Sequence, residues 1–297
     1  MTKAVRHRML HVVGMTIGLF FLFLGLYGYY YGRFRYQVHN QTISFYDLPP
    51  AFDGYRIVQF SDLHIGTYRG GYEIEVQHIA DLINQQKADA VVFTGDLVNR
   101  RSDELEGFQC MLSEITAPDG VYSILGNHDY AIYTRSYTPE ERAADIAELL
   151  RLQRGYGWVP LTNENVRITR GDDHIYIAGV ENQGYSKMRF PRRANLPKAM
   201  KGIGRGDFTI LLSHDPTHWR HDITGKTSIQ LTLSGHTHAG QFKVFGWSPV
   251  QWVYSEWSGT YVEGPQVLNV SEGVGCLLPF RYGAWPEINV ITLRRAK

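Results

Sequence analysis

Residues 56–64 read RIVQFSDLH, a short apolar run from Arg56 to Phe60 that breaks at Ser61-Asp62 and reaches a histidine two positions later. Such a run, bounded by polar residues, predicts a buried strand that delivers Asp62 and His64 at its C-terminal end. The pattern recurs at Ala90-Val91-Val92-Phe93 before Thr94-Gly95-Asp96, and at Val121-Tyr122-Ser123-Ile124-Leu125 before Gly126-Asn127. Between the first two runs, Ile79, Leu82 and Ile83 fall at helical spacing, so the order is strand, helix, strand. That order predicts parallel pairing through a right-handed crossover, an α/β arrangement in which ligands collect at the C-terminal edge of the strands.

The pattern continues downstream. Thr138-Pro139-Glu140-Glu141 combines a capping box with Pro at the first helical position, and Ala143, Ile146, Leu149 and Leu150 supply an apolar face before Gly155. Val166-Arg167-Ile168 and Ile175-Tyr176-Ile177 flank Gly171-Asp172-Asp173, which predicts a hairpin. Two further buried strands, Phe208-Thr209-Ile210-Leu211-Leu212 and Ile229-Gln230-Leu231-Thr232-Leu233, each lead into histidines.

Five polar blocks therefore end five predicted strands: Asp62-Leu63-His64, Gly95-Asp96, Gly126-Asn127-His128-Asp129, Ser213-His214-Asp215 and Gly235-His236-Thr237-His238. In extended backbone, residues two apart face one side, so Asp62 with His64, and His236 with His238, are each expected to reach one point. Carboxylates and imidazoles without a thiolate suit Mn, Fe or Zn. The ligands exceed the need of one ion, and two ions about 3.5 to 4 Å apart clamp the attacking and leaving oxygens of a displacement at phosphorus.

The ordered blocks D-x-H, G-D, G-N-H-D, H and G-H-x-H resemble the calcineurin-like metallophosphoesterases over roughly residues 55–290. The resemblance implies a two-sheet β-sandwich flanked by helices, with a dinuclear metal site at one edge. It implies that Asp62, His64 and His238 hold the first metal ion, that Asn127, His214 and His236 hold the second, and that Asp96 bridges them. It further implies that His128 meets the substrate phosphate and protonates the leaving oxygen, with Asp129 orienting it. The tail, with Asn269-Val270-Ser271-Glu272-Gly273-Val274-Gly275, Pro279-Phe280-Arg281-Tyr282 and Pro286-Glu287-Ile288, is similar to that of a membrane-anchored bacterial branch. Related branches hydrolyse the pyrophosphate of UDP-2,3-diacylglucosamine in lipid A synthesis, which makes that nucleotide lipid the leading specific substrate.

The anchor itself is legible. From Val12 to Tyr31 no charge interrupts VVGMTIGLFFLFLGLYGYYY, and as a helix this run covers about 30 Å, the thickness of a bilayer core. Tyr27, Tyr29, Tyr30 and Tyr31, followed by Arg33 and Arg35, form the expected headgroup-level girdle. We therefore expect an N-terminal membrane anchor over residues 1–36 and a metallophosphoesterase domain over 37–297. A cleaved signal peptide is the rival, disfavoured by the length of the run and the missing small-residue cleavage site. Lys3, Arg6 and Arg8 bias the N-terminus towards the cytoplasm and the body outside it.

The 297 residues carry 30 basic and 29 acidic side chains. Five of the basic residues and none of the acidic ones fall in the first 36, which leaves the body at −4. That sign removes the phosphate-neutralising surface of a nucleic-acid binder. No obligate protein partner is indicated. Cys110 and Cys276 make no CxxC spacing; two separately buried thiols are expected, with a disulfide between them as the alternative. The one basic patch of the body comprises Lys187, Arg189, Arg192, Arg193, Lys198, Lys201 and Arg205, with Met188, Phe190 and Met200 interleaved. It suits either a solvated loop or a docking surface for an anionic lipid headgroup.

The sequence thus predicts a hydrolase of phosphoester or pyrophosphate bonds on a lipid-linked or envelope substrate, using manganese or another divalent ion. Two alternatives stand beside it: an extracytoplasmic phosphodiesterase acting on phospholipid or cell-wall phosphodiesters, and a non-catalytic metal-binding membrane scaffold.

Overall fold

Alternation of side chains divides each central strand between two apolar layers, and this division builds the molecule. The computed structural model describes residues 3–185 and 190–296. Its strands in chain order are β1 (Gln37–Phe45), β2 (Arg56–Phe60), β3 (Ala90–Phe93), β4 (Val121–Ser123), β5 (Trp158–Pro160), β6 (Glu164–Arg170), β7 (Asp173–Gly179), β8 (Thr209–Leu212), β9 (Leu231–Ser234), β10 (Gly259–Glu263), β11 (Gln266–Val270) and β12 (Glu287–Arg295). The α-helices are α1 (Lys3–Tyr30), α2 (Ile74–Gln85), α3 (Gln109–Ser113), α4 (Pro139–Gly155) and α5 (Leu196–Ala199).

Two six-stranded mixed sheets form, one in the order β1-β12-β2-β3-β4-β5 and the other β10-β11-β9-β8-β7-β6. As the strand-helix-strand order predicts, β2 and β3 pair in parallel, and the expected hairpin forms with β6 antiparallel to β7. Ile57, Ala90 and Val92 of the first sheet meet Ile177, Ile210, Leu212, Leu231 and Leu233 of the second in the sandwich interior. The intervening residues face outward and are also buried. Val58, Phe60, Val91 and Phe93 lie under Ile79 and Ile83 of α2, Leu112 of α3 and Leu149 of α4. Leu211, Leu268 and Val270 lie under Ala199 of α5, Trp219 and Ile223. Strands covered on both faces read as continuous apolar runs, which is why they were legible.

The capping box of α4 forms as expected, with Glu141 N donating to Thr138 Oγ1 at 3.2 Å and Thr138 N to Glu141 Oε2 at 2.7 Å. Its apolar face is narrower than the periodicity implies, because Ala143 is exposed and Arg142 reaches back to the carbonyls of Ala131 and Thr134. Helix α1 carries one apolar stretch long enough to cross a membrane, and its side chains remain exposed along that stretch. Cys110 and Cys276 are both free thiols, but only Cys276 is buried; Cys110, on the short α3, is exposed, contrary to expectation.

Candidate metal centre

The C-terminal ends of β2, β3 and β4 in one sheet and of β8 and β9 in the other converge, and each hands its chain to one polar block. A polar tie fixes the two sheets together beside this edge: Gln59 Nε2 donates to Ser234 O at 2.8 Å, and Asn269 Nδ2 donates to Gln59 Oε1 at 2.8 Å. The blocks then leave extended geometry altogether. Asp62, His64, Asp96, His236 and His238 have φ of 54, 45, 60, 76 and 51°, in the left-handed region that non-glycine residues avoid. Each such residue costs about 1–3 kcal/mol, so its retention here marks a backbone held by its surroundings for the placement of side chains.

This backbone corrects one expectation drawn from extended geometry. His236 and His238 do not reach one point. The turn sends His238 Nε2 to within 3.0 Å of His64 Nε2 and 3.4 Å of Asp62 Oδ1, whereas His236 Nδ1 lies 3.2 Å from His214 Nε2. Asp96 stands between the two groups, with Oδ2 3.7 Å from His64 Nε2 and 3.2 Å from His214 Nε2. Asp62, His64 and His238 thus form one cluster and Asp96, His214 and His236 a second, each with ligand atoms within 4.8 Å. Asp62 and His64 do converge, through left-handed rather than extended backbone.

The donors fit divalent ions. Asn127 Oδ1 is buried without a hydrogen-bond partner, and an unsatisfied buried acceptor is costly unless a cation completes it. Burial pushes His64 down to about 3 and His236 down to about 4, and burial with the neighbouring His64 and Arg281 holds His238 well below its ordinary value. Three imidazoles are therefore kept neutral, the form that ligates a metal. Burial raises Asp62 to about 6. Burial opposes ionisation of Asp96 too, but the charges of His214 and His128 outweigh it and hold the carboxyl well below its usual range. Burial likewise works against the charge on His214, yet the Asp96 carboxylate prevails and lifts it to about 10. A bound cation would compete with that proton. His214 Nδ1 is already committed, 2.7 Å from Thr94 O, which leaves Nε2 for the site.

The residues expected beside the ions occupy distinct positions. His128 Nδ1 lies 2.7 Å from Asn99 O, and the ring stacks at 4.2 Å on Tyr133, whose hydroxyl meets Asn127 Nδ2 at 2.9 Å. Asp129 does not orient His128. Its carboxylate accepts four backbone N–H bonds instead, from Asp96 (2.8 Å) and Gly126 (2.9 Å) on Oδ2 and from Leu97 (2.9 Å) and Val98 (3.2 Å) on Oδ1. Chain adjacency suggested the first role, and the turn after β4 points the side chain backward into the Asp96 loop. Burial and the Asp96 charge raise Asp129 to about 7. Gly126 is required here by proximity, since a Cβ on it would fall 2.5 Å from Asp96 N.

The tail packs as a wall of the site. Buried Arg281 donates to the carbonyls of Gly275, Ala284, Glu272 and Gly273, and its Nη2 lies 3.2 Å from His238 Nδ1. It is fully buried and forms no carboxylate salt bridge among the described residues. Gln241 clamps the same segment, accepting from Leu277 N and Leu278 N at 3.0 Å each and donating to Leu278 O and Phe280 O. Asn99, Tyr133, Gln241 and Tyr254, whose hydroxyl lies 2.7 Å from His236 Nε2, were not legible as site residues, because none stands in a strand-end block. Of the basic patch, Lys187, Met188 and Arg189 lie outside the described residues. Arg192 stacks on Tyr185 and Arg193 on Tyr130, and Phe190 packs edge-on to His236 at 4.9 Å.

A cleft of about 470 Å³ opens onto the two clusters. Asp96, Asn127, His128, His236 and His238 contribute its polar part, and Phe190, Val250, Val253, Leu277, Leu278 and Phe280 its apolar part.

The chain is similar to several known proteins. A transmembrane protein with metallophosphoesterase domain from Bos taurus is 29% identical over 269 residues, covering 87% of this chain and 57% of that one. Metallophosphoesterase YkuE of Bacillus subtilis (strain 168) is 30% identical over 285 residues, 90% of each chain. The solved phosphopantetheinyl hydrolase of Mycobacterium tuberculosis shares 14% identity with a TM-score of 0.47, over 81% of this chain and 96% of that one. The calcineurin-like phosphoesterase model matches residues 55–240, and the chain belongs to that family.

Proposed function

We propose that this chain is a membrane-anchored hydrolase of a phosphoester or pyrophosphate bond carried on a lipid-linked substrate. The observation that carries this reading is the cleft, in which metal-ligand donors share one cavity with the apolar side chains of Val250, Val253, Leu277, Leu278 and Phe280. A soluble phosphoester needs no such wall, whereas the stem of a phosphorylated amphiphile does.

Asp62, His64 and His238 would hold one ion, Asn127, His214 and His236 the other, and Asp96 both. Divalent ions there acidify water and neutralise charge on the phosphoryl oxygens. The chain's own residues supply position and a proton. Nδ1–H of His128 donates to Asn99 O, which leaves Nε2 for the cleft, where it carries a proton to the leaving oxygen. Tyr133 fixes the tilt of that ring and the rotamer of Asn127 together. Arg281 and Gln241 hold the tail against the ligand turn.

Helix α1 serves as the anchor, with the membrane-anchored bacterial branch as the corresponding subgroup and the body outside the cytoplasm. UDP-2,3-diacylglucosamine is the specific candidate substrate, and an envelope phosphodiester is the alternative favoured by the charges before α1. Phosphorus NMR of the detergent-solubilised, manganese-loaded full chain, offered this nucleotide lipid and bis-p-nitrophenyl phosphate, tests the reading. UMP and lipid phosphate as products support a pyrophosphatase on a lipid. Cleavage of the simple diester alone redirects the assignment to envelope diesters, and no turnover with both ions bound refutes the hydrolase in favour of a scaffold.

A further inference from the structure

The segment that walls the cleft is also the segment that receives the end of α1. Arg281 N donates to Gly28 O at 3.3 Å, and Tyr27 packs at 6.1 Å on Tyr282 and 6.3 Å on Trp285. Gly28 lies flush against the Phe280 ring, where a Cβ would collide. Phe242 stacks on Tyr282 at 5.9 Å, and Lys243 N donates to Tyr282 O at 2.7 Å. From this base the chain projects a two-residue hairpin. Val244 and Trp247 exchange both backbone hydrogen bonds at 2.9 Å, and Phe245 and Gly246 take φ of 49 and 79°.

A turn with two positive φ values favours Asn-Gly, and a phenylalanine at its first central position is strained. Phe245 is nonetheless fully exposed at the tip. Beside it, Trp247 meets Trp252 edge-on at 5.5 Å, and Trp252 is 79% exposed. Val253, Leu277 and Leu278, which line the cleft, are exposed as well. Three aromatics and three aliphatics next to one cleft amount to exposed apolar area on the order of a few hundred Å², the size that marks an interaction surface. Strain and exposure of this kind are retained where the tip has an apolar medium to enter.

We propose that Phe245, Trp247, Trp252, Val253, Leu277 and Leu278 form a rim that enters the lipid headgroup region beside α1. The active-site cleft then opens into the bilayer surface, and the substrate is a membrane-resident phosphorylated amphiphile whose acyl part stays in the membrane. The occupant of this surface is fixed by continuity, because the Gln241–Trp285 region that bears the rim is seated directly on the last turn of the apolar helix. Trp at an interface places its ring at the headgroup level, and an anchored chain needs no further affinity to bring the rim there. This inference rests on the reading of α1 as a membrane anchor.

The test uses the full chain reconstituted in phosphatidylcholine vesicles with brominated acyl chains, which quench only tryptophans that reach them. Wild type is expected to lose a component of its emission that is absent from the Trp247→Phe/Trp252→Phe double variant. Equal quenching of both overturns the rim. In parallel, Phe245→Ser/Trp252→Ser is expected to lower kcat/KM for a vesicle-embedded lipid phosphodiester by about tenfold or more, the scale of losing one buried aromatic. Turnover of soluble bis-p-nitrophenyl phosphate is expected to stay unchanged. An equal fall on both substrates overturns the inference, as does no fall on either. Release of the protein from vesicles by alkaline carbonate would refute the anchor and the rim with it. Retention with diester turnover but without quenching refutes the rim alone.

Discussion

Replacing Asp129 by Asn separates two roles for this carboxylate. Its two oxygens accept four buried amides, two each, from the loops carrying Asp96 and Gly126. Asparagine offers one oxygen and one NH₂ group, so either orientation of the amide leaves two backbone donors facing a donor. An unsatisfied buried donor costs about 1–3 kcal/mol, which puts the loss at roughly 2–6 kcal/mol. For a body of this size, that lowers the melting temperature by about 5–20 °C. The loop carrying Asp96 is expected to shift to relieve the clash, so metal content should fall with stability. Calorimetry of the detergent-solubilised chain and elemental analysis of the same sample make the check. An Asp129→Asn protein that melts within about 1 °C of wild type and keeps its full metal complement, while losing turnover, would refute this reasoning and restore an orienting role towards His128.

Three further outcomes follow from the geometry. His128→Ala should cut phosphoester turnover by about 10² to 10⁴ with metal content unchanged, and turnover like that of wild type would remove His128 from the proton path. Asp96→Ala should weaken both ions, because its Oδ2 lies near His64 and His214 alike; elemental analysis showing two ions per chain would contradict the bridge. Burial pushes His218, which pairs with Ser213 at 2.8 Å, down to about 4. Its folded value lies below the unfolded one, so its contribution is present above about pH 6.5 and is lost as pH falls towards 4, about 2 kcal/mol between pH 7 and 5. The melting temperature of His218→Gln should fall less than that of wild type over this interval; equal slopes would reject the assignment.

Most strands and the metal-ligand set were legible because the signals are local. A strand buried on both faces is largely apolar: β3 is apolar throughout, and β2, β8 and β9 carry only one or two polar residues each. The edge strands β1 and β10 are not legible, since exposed polar positions such as His39, Asn40 and Thr260 break their runs, and in buried β11 the polar Gln266 and Asn269 interrupt the apolar pattern. Asp62, His64, His238, Asp96, His214 and His236 do gather into two clusters, by a geometry the sequence conveyed only in part. Extended alternation put His236 and His238 together, whereas left-handed φ at both positions sends them to different clusters. Asp129 was placed by its neighbour in the chain, whereas three of its four partners lie 31–33 residues away.

What the sequence determined by itself was chemistry carried by short segments: which side chains end which strands, that the donors suit divalent ions, and that one helix is apolar enough for a bilayer. Tertiary structure alone decided what depends on distant segments meeting. The tail from Val274 to Trp285 has no periodicity to announce its role, yet through Gln241 and Arg281 it closes the cleft, supports His238 and seats the end of α1. The physical reason is that these contacts satisfy backbone donors and acceptors across more than 30 residues of chain, and no local pattern records such a partner.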